Sequence, residues 1–184
     1  MKKLYFFTVL FLMMPFITTA TEWKIIPDQS KIEFATTQNS SKVLGSFKKF
    51  FGKINFDPTQ LKTSTIEIEV DIASVASSTT GAALTLQAID WFSAKDSPKA
   101  IFTANKFTKI SDKKYTAEGN LTIKGKAVAT ILEFTLEEYS AAKAKVVGST
   151  TIKRSDFAIG AKDPANAHGI ADSVVVSFAV NAIK

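Results

Sequence analysis

Cysteine is absent from this 184-residue chain, and histidine and arginine occur once each, as His168 and Arg154. Without a thiol there is no disulfide, no thiolate zinc or iron–sulfur site, no cysteine nucleophile and no lipid-bearing cysteine. One histidine excludes catalytic histidine networks, multi-histidine metal cages and bis-histidine haem ligation. The formal charge is +6, but a single arginine and mostly isolated lysines do not form the clustered basic stripe of a nucleic-acid-binding protein. The glycine-rich phosphate loops G-x-G-x-x-G and G-x-x-x-x-G-K-[ST] are missing, and so is the G-x-S-x-G nucleophile elbow. What the chain has in quantity is phenylalanine, 15 of them, with two Trp and three Tyr. That balance favours a binding protein over an enzyme, and neither catalytic residues nor a metal or cofactor are expected.

The one long apolar run is N-terminal. Lys2 and Lys3 precede Leu4 to Ile17, and Thr18-Thr19-Ala20 follow. A basic start, a short apolar stretch and small residues at −3 and −1 are the parts of a secretory signal peptide. The run is shorter than the ~20 residues needed to cross a bilayer, and Pro15 interrupts it. The expected division is a signal peptide over residues 1–20 and a single domain over 21–184, exported and without a membrane span. Loss of Lys2 and Lys3 leaves 21 basic against 17 acidic residues. A domain of this size buries most of its unfolded surface and holds a core without cross-links.

Hydrophobic periodicity along the mature chain is two almost throughout. Ile66, Ile68, Val70 and Ile72 alternate with Glu67, Glu69 and Asp71, which makes a strand with one dry and one wet face. Ala117–Lys124, Val128–Glu137, Val146–Ile152 and Val174–Asn181 alternate in the same way. Ile32 and Phe34, a long segment from Val43 to Phe56 bent at Gly52, and Ala100–Phe107 complete about eight strands. Only the stretch from Gly81 to about Ala88, leading into Asp90-Trp91-Phe92, reads as helical, short enough for a lid or plug. Many alternating strands joined by short turns predict an all-β antiparallel sandwich or barrel, with up-and-down order favoured over a Greek key.

Glu67 with Glu69 and Glu137 with Glu138 are read as solvated, since nothing beside them would raise a carboxylate pKa. His168 falls in a loop, where a surface position is the ordinary outcome and rim contact the alternative. Arg154 continues the parity of Val146, Gly148, Thr150 and Ile152 and so points with the dry face. It needs a carboxylate such as Asp156, backbone carbonyls, water or a charged ligand. A structural ion pair and head-group contact both remain open.

Five blocks in order resemble the YceI-like polyisoprenoid-binding family. They are Trp23–Phe34, Val43–Phe50 running on to Ile54–Pro58, Asp90-Trp91-Phe92 with Pro98–Phe102, Gly119–Lys126, and Ile152–Gly160. The resemblance covers nearly all of the mature chain. It implies a lipocalin-like antiparallel barrel of about eight strands, with a short helical segment near residues 81–92. It also implies export to the periplasm and a long isoprenoid or similar lipid in the lumen, such as a polyprenyl phosphate, a quinone-like lipid or a fatty amide. Where many members carry Arg-Asp-x-His-Leu, this chain has Ala82-Ala83-Leu84-Thr85-Leu86.

If the dry faces enclose one lumen, Phe34, Phe47, Ile68, Val70, Phe102, Leu121, Leu132, Phe134 and Phe178 line it. Trp91 and Phe92 then stand near an opening, with their outer edges wet, and Arg154 is the head-group candidate. The expected role is transport, storage or scavenging of that lipid, and a homodimer is compatible with it. The competing reading is an envelope structural protein whose barrel is filled by its own side chains.

Overall fold

The computed structural model describes residues 22–184, so the signal-peptide segment lies outside the described residues. Eleven strands form one antiparallel sheet: β1 Lys24–Ile25, β2 Lys31–Gln38, β3 Ser41–Phe47, β4 Phe50–Asn55, β5 Thr65–Asp71, β6 Val75–Ser77, β7 Lys99–Lys109, β8 Lys114–Ile123, β9 Lys126–Tyr139, β10 Lys143–Lys153 and β11 Ser173–Ile183. Helix α1, Ala82–Gln87, follows β6, and α2, Pro164–Ala167, precedes β11. The sheet order is β4-β5-β7-β8-β9-β10-β11-β2-β3-β6, with β1 alongside β11. Consecutive strands pair from β7 through β11, as up-and-down order requires, and so do β2 with β3 and β4 with β5. β1 pairs with β11, β3 and β4 do not pair with each other, and β6 returns to pair with β3, so that β5 lies beside β7.

Among the described residues the strands number eleven where the sequence pattern gave about eight, for three local reasons. Val43–Phe56 is not one strand bent at Gly52. It breaks at Lys48-Lys49, whose amides turn away to the Ser74 carbonyl and hydroxyl at 3.2 and 3.0 Å. The two-residue β1 and three-residue β6 are too short to show alternation. Two hairpins carry paired left-handed residues, Asn39-Ser40 and Lys124-Gly125, the geometry of the tight turn that matches strand twist. A bulge at Asn105 resets parity in β7, so Phe102, Ala104 and Phe107 all face inward.

The curled sheet is closed at one end by β1. It pairs with β11 through Lys24–Ile183 and Ile25–Ala182, and the Trp23 N–H donates to the Ile54 carbonyl of β4 at 2.8 Å. Gly52 makes this approach feasible, because a Cβ there would stand 2.7 Å from Ile25 Cδ1 and 2.5 Å from Ile68 Cδ1. Below β1 the barrel is sealed by buried Trp23 and by Phe56, Phe107, Tyr115 and Phe134. The Phe56 ring lies 5.5–5.6 Å from the other three, and Tyr115 stacks on Phe134. A second buried cluster, Ile72, Trp91, Ile123, Phe157 and Ile159, supports the opposite end. Among the described residues no helix is long and apolar enough to cross a membrane.

Candidate functional site

The inward faces of the strands do not meet at the centre. They leave two chambers that share a waist of Ile32, Val70, Ala100, Leu121 and Val176. The upper chamber, beneath α1, measures about 480 Å³ and the lower about 170 Å³. The upper one is within the range of small-molecule sites, roughly 300–1,000 Å³.

All eleven lumen residues nominated from sequence border one chamber or the other. Phe34, Phe47, Trp91 and Phe92 line the upper one. Ile68, Phe102, Leu132, Phe134 and Phe178 line the lower one, and Val70 and Leu121 touch both. Phe34, Phe47 and Phe92 form a continuous aromatic wall with ring centres 5.7 and 5.8 Å apart. The ring of Phe34 lies across its cross-strand partner Gly45. Trp91 differs from expectation: its edge is not wet. It is 4% exposed, and its indole N–H donates to Asp163 Oδ2 at 2.9 Å, which anchors the α1 segment to the loop before α2.

The two chambers differ in polarity. Among the described residues Thr150 is the only hydroxyl-bearing side chain on the lower wall, whereas the upper wall carries Thr36, Gln38, Ser77, Thr79, Thr80, Thr85 and Arg154. Three of these polar groups, Thr79, Thr80 and Thr85, escape a periodicity search because they sit in the β6–α1 connection and on α1. The apolar residues not nominated from sequence, such as Val43, Ile152, Val174 and Val176, lie on strands whose dry faces were recognised, and only their height along the barrel was hidden.

Arg154 begins a short 3-10 turn directly after β10. Its Nη1 donates to the Ile159 carbonyl at 2.8 Å, its Nε to Ala171 and its Nη2 to Ile170, both at 3.3 Å. An ion pair with Asp156 is not formed, and among the described residues no carboxylate lies in salt-bridge contact with it. The carbonyls of the 159–171 segment converge on the fork of donors, while Asp156 stays exposed on the solvent side. Three of the five guanidinium N–H groups are thereby used, and the permanent charge remains in the chamber wall. The neighbouring turn is held by Asp172, which accepts from Ser155 N at 2.9 Å and Oγ at 2.8 Å. These bonds, foremost the backbone one, hold its carboxyl below the ordinary aspartate value, and the charges of Arg154 and Lys153 add to the effect.

His168 is exposed and borders neither chamber; its carbonyl accepts from Gln38 Nε2. Among the described residues no group of three or more His, Cys, Asp or Glu side chains is placed to hold a metal ion.

An up-and-down antiparallel barrel with an open lumen, apolar at depth and polar at one mouth, places the protein in the lipocalin-like class. Within it the chain belongs to the YceI-like domain family, whose sequence profile matches residues 23–182. It is similar to Burkholderia cenocepacia BcnA, with 29% identity, a TM-score of 0.79, and coverage of 85% of this chain and 98% of that one. It is also similar to the Campylobacter jejuni YCEI protein, at 29% identity and a TM-score of 0.65, covering 76% and 84%. A polyisoprenoid binding domain from Saccharophagus degradans shares the fold at 14% identity and a TM-score of 0.71, covering 88% and 97%. No curated protein matches the chain.

Proposed function

We propose that the protein is an exported, non-enzymatic carrier of one long-chain amphipathic lipid of the isoprenoid type, held tail-down in the lumen. The observation that carries this reading is the polarity gradient: an almost wholly apolar lower chamber continues into an upper one edged with hydroxyls, Gln38 and Arg154. A hydrocarbon tail gains ~0.8 kcal/mol per buried methylene, so ten methylenes supply about 8 kcal/mol before ordering and association costs. The polar mouth then fixes which end of the lipid stays outside, and the charge of Arg154 favours an anionic head. The polyisoprenoid binding named for the Saccharophagus domain supports the choice of tail. The signal-like N-terminus supports delivery to the periplasm. A barrel filled by its own side chains fits the aromatic floor alone, because the upper chamber is open space.

The test is native mass spectrometry of the purified protein together with melting of a waist variant. Phe134 stands in the aromatic floor, so added volume there strains packing whether or not a lipid binds. Leu121, which borders both chambers, is the better site. Leu121→Trp is expected to empty the protein of lipid while most of its stability is kept. A native protein that never carries lipid, and a variant that only melts earlier, would overturn the carrier reading.

A further inference from the structure

Residues 72–89, from the end of β5 through α1, contain no charged side chain, in a chain of which 22% is charged. Helix α1 turns Ala82, Thr85 and Leu86 toward the upper chamber. A surface helix with one apolar face over a cavity ordinarily shows a polar face to water. Here the outer side carries Leu84, 78% exposed, and the turn that follows carries Ile89, 69% exposed. Among the described residues these are the two most exposed of the large hydrophobic side chains.

A group of lysines adjoins this apolar pair. The Gly160 N–H donates to the Asp90 carbonyl at 2.8 Å, which ties the Ile89–Asp90 corner to the segment after the 3-10 turn. Lys124, in the β8–β9 hairpin, donates to the Ala158 carbonyl of that same segment at 3.3 Å. Burial lowers the pKa of Lys124, the Asp90 carboxylate raises it, and Lys126 and Lys162 lower it further, so each of these three stands within electrostatic reach of Lys124. Of the nearby acids, Asp163 accepts from Trp91 and Asp96 from Ser93, while Asp90 faces Lys124 and offsets part of its charge, which leaves the group net positive. Among the described residues none of Lys124, Lys126 and Lys162 is in a salt bridge.

We infer that this rim, with Leu84 and Ile89 as apolar contacts and Lys124, Lys126 and Lys162 as cationic ones, docks on an anionic phospholipid bilayer and sets the upper chamber against it. Exposed apolar side chains enter the boundary between head groups and acyl chains, and the lysines meet the negative surface. Neither set is sufficient alone, since two side chains insert weakly and scattered charge lacks depth. A second copy of the chain, the other occupant for an apolar pair, would have to bring two such lysine groups together, and like charges oppose that. The lipid-carrier reading gives the docking its purpose, but the docking contacts are separate from the lumen.

The experiment is co-sedimentation with vesicles of phosphatidylcholine alone and of phosphatidylcholine with phosphatidylglycerol, comparing native and variant proteins that carry the same N-terminus. Binding to the anionic vesicles that weakens with salt is expected. Leu84→Glu with Ile89→Glu should abolish it at an unchanged melting temperature. Lys126→Ala with Lys162→Ala should weaken it roughly thirtyfold. Native protein that ignores anionic vesicles, or variants that bind as well as native, would overturn the docking. So would a solution dimer that the Glu variant dissolves. Native mass spectra taken in parallel keep the two readings apart: bound lipid without vesicle binding removes the docking alone, and vesicle binding without bound lipid removes the carrier alone.

Discussion

At the scale of single residues, the open volume of the upper chamber depends on Gly45. A Cβ at that position would stand 2.0 Å from Cζ of Phe34, well inside contact distance, so the ring lies flat on the strand only because nothing projects beneath it. Gly45→Val is expected to swing Phe34 into the lumen and to cost about 1–3 kcal/mol by overpacking. Melting together with mass spectrometry of bound lipid checks both effects, and unchanged lipid occupancy would contradict the placement of Phe34 on the chamber wall. Arg154 combines structure with charge. Arg154→Met leaves the carbonyls of Ile159, Ile170 and Ala171 without their donors, at about 1–3 kcal/mol for each one that water does not reach. The expected outcome is a lower melting temperature together with a selective loss of anionic over neutral lipid. Equal loss of both would assign Arg154 to the scaffold alone.

Among the elements, β1 is the smallest and closes the lower end. Two ladder pairs to β11 and one hydrogen bond to β4 hold it, and Trp23 fills the space below with its indole N–H on the Phe56 carbonyl at 2.9 Å. Gly52 leaves room for Ile25 to cross. Gly52→Val crowds the ends of two side chains rather than backbone, so the barrel should fold, with β1 displaced. Hydrogen exchange at the Trp23 amide is expected to speed up far more than exchange in β8 or β9. Uniform acceleration would instead mean global destabilisation. The α1 segment plays the corresponding part at the upper end, with Trp91 tied to Asp163 as its anchor.

For the whole molecule, a strand that closes the barrel and begins at Lys24, four residues after Ala20, links folding to processing. Trp23, the third residue after Ala20, is buried at the sealed lower end of the barrel. The mature protein is expected to begin at Thr21 and to be recovered from the periplasm without detergent. N-terminal sequencing that returned Met1, or recovery only in detergent, would contradict that. The opposite placement of the two ends also separates their tasks: Trp23 and the aromatic floor lie at one end, and the polar mouth and α1 at the other.

Period-two alternation in five segments was enough to determine that the chain is largely β and which face of those five segments is dry. The absence of cysteine and the lone histidine bounded the chemistry before any fold was drawn. These are local properties, set by the pleat and by composition. Four things depended on the tertiary arrangement: the break at Lys48-Lys49, the closure by β1, the division of the lumen at Leu121 and Val70, and the carbonyls that receive Arg154. Each depends on contacts between segments far apart in sequence, and strand periodicity carries no record of height along a barrel axis. The burial of Trp91 belongs here too, because its partner Asp163 lies 72 residues away. Alternation can assign a residue to the inside, but only packing against the opposite wall decides whether the space in front of it is filled.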